Sequence, residues 1–568
     1  MSNEDVVAEG IPTPEGHTNL IETDYDIGQD NIDGSLGPVP FDIHNPVFLI
    51  SGLGTVLFTF YALIFNEQAA TVFGALRPWL TSTFDWLFLS AANLFVLFCL
   101  ALIVLPVGKV RLGGSEATPD YTYPGWFAML FAAGMGIGLM FYGVSEPLSH
   151  FASANAGTSV GENGLRTDWA PLNAASNPEA AAQLGMAATI FHWGLHPWAI
   201  YAVVALALAL FSYNKGLPLS IRSAFHPLLG DRVWGWPGHI IDTIAVLATL
   251  FGLATSLGIG AQQAASGLTL LFGSGDAAEG TRSLWGISYG NTEESGATNS
   301  NALLVVLISA ITAVALVSVM RGLDGGVKIL SEINMGLAAL LLLFVLFVGP
   351  TVELITGFFS GLGAYLANLV ALSNPFGRAD TNYMQGWTSF YWAWWISWSP
   401  FVGMFIARVS RGRTVREFVI CVLLIPSLVC VLWMTTFGGT AISQVVNDGY
   451  TGARDAALEL QLFQMLAELP LAQITSFVGI VLVIVFFVTS SDSGSLVIDT
   501  ITAGGKVDAP VPQRVFWCLV EGAVAIALLL GGGLSSLQAM VISTGLPFTL
   551  VLLVMCFAIY AGLRSERR

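Results

Sequence analysis

Charge is scarce in this chain. Of its 568 residues only 10% are Asp, Glu, Lys or Arg, while 54% are apolar. Soluble domains carry about a quarter of their residues as charges. A mean hydropathy of +0.71 excludes such a domain and points to a polytopic membrane protein. Cysteine is rare too. The five present (Cys99, Cys421, Cys430, Cys518 and Cys556) lie in apolar runs and form no C-x-x-C pair, so neither a disulfide framework nor a cysteine zinc site is indicated. Lys and Arg are missing altogether from residues 1–44, which hold ten Asp and Glu. That stretch is polar, aperiodic and rich in Pro and Gly. It predicts a disordered acidic N-terminal tail rather than a cleaved signal peptide. The net charge of −17 is therefore unevenly placed, and no nucleic-acid partner is expected.

What the chain has in abundance is long apolar segments. Twelve can span a bilayer, which takes about 20 residues each: 45–65, 86–108, 124–145, 183–213, 238–272, 302–319, 336–359, 386–408, 415–438, 474–500, 513–531 and 538–562. Residues 320–335 are too polar to span and predict a short interfacial helix. An even number of spans puts both termini on one side. With both inside, the inner loops hold sixteen Lys and Arg and the outer loops five (Arg77, Arg166, Arg282, Arg378 and Arg454), which predicts cytoplasmic termini. The basic turn Arg408–Arg416 suits anionic lipid head groups or an acidic cytoplasmic segment.

Tryptophan is concentrated. Five of sixteen fall within 386–401. On a helix, Trp387, Tyr391, Trp394, Trp395 and Trp398 share one side, extended by Phe390 and Phe401, while Trp392 points elsewhere. Interfacial tryptophans gather at the ends of a span, not along one face. Aromatic packing alone can produce such a stripe. A wall of indoles is also what a quaternary ammonium needs, because such a cation cannot donate a hydrogen bond and ring faces must replace its water.

Glycine is patterned in the third span, where Gly134, Gly136 and Gly138 alternate. Close helix packing favours a spacing of four, whereas alternate glycines weaken a helix. An unwound segment at the membrane midplane is tolerated where its N–H and C=O groups line a cavity, and these groups can bind a carboxylate or Na⁺. Glu146 reads as a solvated carboxylate at the outer end of this span, with a gating role as the alternative. In the fourth span His192 and His196 have metal-ligand spacing but no third ligand is evident, so they read as hydrogen-bonded packing residues. Trp193, Trp198 and Tyr201 can close a box with the wall, with Pro197 disturbing the helix between them. The fifth span offers hydroxyls at Thr243, Thr249, Thr255 and Ser256. The tenth crowds Thr489, Ser490 and Ser491 beside Asp492. These hydroxyls can bond back to helix carbonyls or supply the hard oxygens Na⁺ prefers. Asp492 reads as a cap or a proton carrier.

The GMGIG run at 134–138, the Trp-rich stretch 387–401 and the basic turn after it resemble the betaine/choline/carnitine transporter family, and the resemblance runs from about 45 to 562. It implies an all-α, leucine-transporter-like fold. Two inverted five-helix repeats, about 124–359 and 386–562, follow two extra N-terminal helices, and 564–568 form a short C-terminal tail. It further implies a homotrimer in a bacterial inner membrane. By motif position the substrate box would be Trp193, Trp198, Tyr201 and Trp395, with Trp394 and Trp398 beside it. The substrate carboxylate would face the backbone of Gly136, Ile137 and Gly138. One sodium would use Ala132, Met135, Phe486, Thr489 and Ser490, and a second Phe401, Thr255 and Ser256. Choline-transporting members often carry Asp where this chain has Gly138, which favours a zwitterion here. The short tail makes activation through a long basic C-terminus doubtful. The implied function is sodium-driven import of glycine betaine. The alternatives are dimethylsulfoniopropionate, choline, carnitine or ectoine, with proton coupling or exchange. A membrane hydrolase lacks a nucleophile–base pair, and a channel would need rings of polar positions.

Overall fold

Proline and glycine decide where these helices stop. A computed structural model of the chain describes residues 12–566 apart from 158–173, 176, 274–282, 285–286, 289–300, 322–326 and 379. The long helices are α1 (Val47–Ile64), α2 (Asn66–Val104), α3 (Tyr123–Gly134), α4 (Ile137–Ala156), α5 (Pro178–Trp193), α6 (Leu195–Ala209), α7 (Trp236–Phe272) and α8 (Asn301–Arg321). They continue as α9 (Val327–Val348), α10 (Thr351–Ser373), α11 (Ser389–Val409), α12 (Val415–Val446), α13 (Ala472–Thr502), α14 (Val511–Leu530) and α15 (Leu534–Ser565).

The seventh expected span, 336–359, straddles two helices. Gly349-Pro350 removes a backbone donor and separates α9 from α10, and the Thr351 hydroxyl donates to the Leu346 carbonyl at 2.8 Å. The interfacial helix expected at 320–335 is absent as a separate element. Residues 322–326 lie outside the described residues, and from Val327 the chain is already part of α9. By length and hydropathy, eleven helices among the described residues qualify as spans, together with the bent pair α3 and α4. That set includes α10, which is mostly exposed, and omits the Trp-rich α11, which is almost wholly buried. Hydropathy ranks residues by their fitness for lipid, and α11 faces protein. If α10 lies along the surface, α11 restores the count of twelve.

The helices of α3–α9 pack reciprocally on those of α11–α15, with the broken pairs α3/α4 and α5/α6 each counted as one element. The first element of one unit meets the second of the other, as α4 packs on α12 and α11 on α6. The third elements α7 and α13 pack on each other, α7 also meets α14 and α15, and α13 meets α8 and α9. This exchange of equivalent partners is compatible with paired repeats, α3–α9 and α11–α15.

The acidic segment expected to lack structure is, from residue 12 on, folded against one end of the bundle. Asn31–Leu36 (β1) and Val39–His44 (β2) form an antiparallel hairpin. Tyr25 stacks on Trp234 at 4.3 Å. The buried Arg222 guanidinium donates to the Tyr25 hydroxyl at 2.8 Å and to His44 Nε2 at 3.0 Å. Asp42 pairs with Lys506 at 2.7 Å and Glu15 with Arg411 at 2.5 Å. The disorder expected from composition fails because the basic loops at this end provide a complementary surface for the acidic segment. Burial, then Arg222 and His239, push the His44 imidazole down to about 3. The other terminus meets the same surface, since Glu566 pairs with Lys215 and accepts from the Asn19 N–H at 3.2 Å. Both ends of the chain therefore lie at one end of the bundle, as an even number of crossings requires.

Candidate substrate and ion site

Two helix breaks build the site. At the first, Gly136 is fully extended (φ −174°, ψ −176°) and α3 and α4 meet at 66°. The first backbone bond of α4 runs from the Met140 N–H to the Gly136 carbonyl. The N–H groups of Ile137, Gly138 and Leu139 thus have no partner inside the helix, and all three residues stand on a cavity wall. The glycines are there for space. A Cβ at Gly134 would lie 3.3 Å from Trp198, and one at Gly138 would lie 2.9 Å from the rings of both Trp193 and Trp394. Gly136 instead opens onto the cavity, where a Cβ would meet nothing within 4 Å.

The second break is Gly194, between α5 and α6. Pro197 has no N–H to offer the Trp193 carbonyl one turn back. The Trp198 indole N–H takes that carbonyl instead at 3.2 Å, and the Trp395 indole takes the neighbouring His192 carbonyl at 2.9 Å. Trp394 donates to the Ser256 hydroxyl at 3.0 Å, Trp398 to the Gly252 carbonyl at 2.9 Å and Trp193 to Glu146 Oε2 at 2.6 Å. Each of the five indole N–H groups is held by protein, which fixes the rings. Trp394 and Trp395 stack at 4.9 Å, 11° from parallel. Trp193 stands edge-on to Trp395 at 4.9 Å, and Tyr201 edge-on at 6.1 Å.

The result is a small cavity of about 50 Å³. The structure brings all nine expected substrate residues onto its wall: Trp193, Trp198, Tyr201, Gly136, Ile137, Gly138, Trp394, Trp395 and Trp398. No Asp, Glu, Lys or Arg lines it among the described residues. Val402 and Cys430 also line it and were missed. Val402 lies four residues beyond Trp398, so helical spacing could have found it. Cys430 comes from α12, and no local signal marks it. The wall is shorter than the helical wheel suggests. Trp387 lies in a π-helical turn, Thr381–Thr388, and with Tyr391 packs around Tyr142, His150 and His192 outside the cavity. Phe390 stacks on Trp394 from outside. Trp392 faces away, stacked on His196 at 5.4 Å.

Glu146 corrects the sequence reading most sharply. It is fully buried, not solvated. It accepts from His192 Nδ1, Trp193 Nε1 and the Tyr391 hydroxyl, each at 2.6 Å, and His150 Nε2 lies 3.3 Å away. His192 and His196 are hydrogen-bonded packing residues, to Thr388 at 2.9 Å and Asn93 at 3.0 Å. Glu146, His150 and His192 bring ligand atoms within 4.8 Å of one another, a third partner that chain spacing did not reveal. Indole and phenol donors already fill Glu146 Oε2, so the cluster is a complete hydrogen-bond network as it stands.

The expected sodium ligands are placed unevenly. Ala132 and Met135 flank the first break, and the Ala132 carbonyl accepts the Met135 N–H at 3.2 Å. Phe486, Thr489 and Ser490 lie on α13, which packs against α4. Thr489 donates to the Val485 carbonyl at 3.0 Å and to the Phe486 carbonyl at 3.3 Å, which leaves its lone pairs as acceptors. The second set does not share one face. Thr255 bonds the Phe251 carbonyl and the Leu537 carbonyl of α15. Ser256 faces the cavity and holds Trp394, and Phe401 packs edge-on against Trp398. Asp492 lies within α13 and accepts from Ser318 at 2.7 Å.

A family model described as betaine/carnitine/choline family transporter matches residues 46–568. A Vibrio parahaemolyticus protein named as a glycine betaine/proline/choline transporter is 63% identical over 98% of this chain and 97% of its own. A second from that organism, named glycine betaine transporter 1, is 55% identical over 97% and 98%. A glycine betaine transporter of Acinetobacter baylyi is 40% identical over 92% and 74%.

Proposed function

Because the chain belongs to the betaine/carnitine/choline transporter family, we propose that this multi-pass membrane transporter is a symporter. In this reading it imports a zwitterionic quaternary-ammonium solute, glycine betaine foremost, down the sodium gradient into a bacterial cell, with both termini cytoplasmic. The observation that carries this is the pairing of two complementary surfaces around one uncharged cavity. Indole faces from α5, α6 and α11 suit the onium group, at about 0.5–2 kcal/mol per ring. The free N–H groups at the start of α4 suit a carboxylate. A zwitterion satisfies both and brings no net charge into the membrane.

Sodium enters this reading as cargo. The Thr489 and Ser490 hydroxyls and the carbonyls of Ala132, Met135 and Phe486 are hard neutral oxygens, which suit Na⁺. Ala132 and Met135 flank the break that offers N–H groups to the substrate, so in this reading ion and solute steady one segment together. The uncharged Gly138 argues against a bare cation. The relative named for glycine betaine, proline and choline supports a broader solute range as the second reading, and dimethylsulfoniopropionate, carnitine and ectoine stay within it. The basic turn at Arg408–Arg416 suits anionic lipid head groups or an acidic segment such as the one whose Glu15 pairs with Arg411, and a homotrimer is the assembly the family resemblance implies.

Uptake of radiolabelled glycine betaine into proteoliposomes, with and without a sodium gradient, tests the proposal. Uptake is expected to need the gradient. Equal uptake in potassium alone removes the coupling, and no uptake of any methylated solute removes the substrate class.

A further inference from the structure

Glu146 does not line the cavity, yet it holds the cavity's wall from behind. We propose that Glu146 is a positioning and selectivity residue: it fixes Trp193 and Tyr391 and sets a buried negative charge behind the indole that faces the onium group. This rests on the substrate reading above. The donors around it define its state. The Trp193 indole can only donate, and the Tyr391 hydroxyl makes its bond to the same Oε2. His192 Nδ1 donates to Oε1, and its Nε2 lies 2.9 Å from the Thr388 hydroxyl, which also reaches the Tyr383 carbonyl at 3.3 Å. Three donors at 2.6 Å on two oxygens is the arrangement an ionised carboxylate takes. The basic groups in contact with it are the imidazoles of His192 and His150, and the Arg378 guanidinium is paired with Asp380.

The consequence for binding is electrostatic. An indole whose N–H donates to a carboxylate gains electron density on its ring, which strengthens its attraction for a cation. Trp193 meets Trp395 edge to face at 4.9 Å, and Tyr391 stacks on Trp395 at 5.9 Å. One carboxylate therefore orients two aromatic neighbours of the ring that stands between α5 and α11. The carboxylate is fully buried, so its charge is screened less than it would be at the surface.

The test separates charge from shape. Binding of glycine betaine is compared with binding of 3,3-dimethylbutanoate, in which carbon replaces the ammonium nitrogen. Both are measured on the purified, detergent-solubilised transporter by tryptophan fluorescence. Glu146→Gln is expected to weaken glycine betaine tenfold or more while changing 3,3-dimethylbutanoate less than threefold. Glu146→Asp, which keeps the charge, is expected to retain most of the preference for the onium. Equal losses for both ligands overturn the proposal, since the carboxylate would then serve packing alone. Should Glu146→Gln not fold, Trp193→Phe removes the indole N–H and keeps a ring. The same selective loss is expected there, and an equal loss is again fatal. Failure of the wild type to bind glycine betaine would count against the substrate reading instead.

Discussion

Trp395 and Trp392 lie three residues apart on α11, and replacing each by leucine should damage different properties. Trp395 is stacked on Trp394, meets Trp193 and Tyr201 edge-on, and faces the cavity. Losing one desolvated ring face costs about 2 kcal/mol of cation binding, roughly a 30-fold rise in Kd. The vacated volume falls in a cavity that already exists, so stability should change little. Trp392 is fully buried and stacked on His196 on the far side of the helix. Its replacement leaves a void in packed protein at a cost of roughly 2–3 kcal/mol, below the range for Trp→Ala because leucine refills part of the space. Titration of tryptophan fluorescence gives Kd, and thermal unfolding of the unliganded protein gives stability. Trp395→Leu should move the first and Trp392→Leu the second. Similar shifts in Kd for both would mean that the indoles act through folding, and the π-face reasoning would be refuted.

Gly138→Ala should lower glycine betaine affinity tenfold or more, because its Cβ would sit 2.9 Å from two ring carbons and overpacking costs about 1–3 kcal/mol. Gly136→Ala, checked by the same titration in parallel, should fold normally because its Cβ meets open space. Thr489→Ala with Ser490→Ala should raise the sodium concentration for half-maximal uptake several-fold, measured as initial rates in proteoliposomes. The accumulation ratio reports stoichiometry. At 100 mV and a tenfold gradient each ion supplies roughly 3.7 kcal/mol, so one ion sustains about 400-fold and two about 10⁵-fold. Acidification should release the N-terminal hairpin. His44 resists protonation when docked and titrates near its ordinary value when released, so docking is favoured above about pH 6.5 and weakens as pH falls towards about 3. Faster hydrogen exchange at 31–44 at pH 4.5 than expected from intrinsic rates would report it. Unchanged protection would exclude His44 as the cause.

The residue types of the cavity were legible because local chemistry requires them. Alternating glycines cannot hold a good helix, a proline must free a carbonyl, and indoles at helical spacing must share a face. The class of membrane protein followed from apolar segment lengths alone. Which indoles reach the cavity was not legible, because Trp387 and Tyr391 continue the stripe, stacked on each other and on Trp395, yet pack around Tyr142, His150 and His192 outside the cavity. Helix bounds around 336–359 failed because length and hydropathy were followed past Gly349-Pro350, a break that the sequence itself displays. Only the folded chain brought Glu146 on α4, His192 and Trp193 on α5 and Tyr391 on α11 to one point, and no spacing along the chain encodes a meeting of three helices. The docking of the acidic segment was hidden for a similar reason, since its partners Arg222, Arg411 and Lys506 come from three distant loops. Sequence determined what each segment needs to satisfy its own backbone and its own surface; tertiary structure decided which distant segment satisfies it.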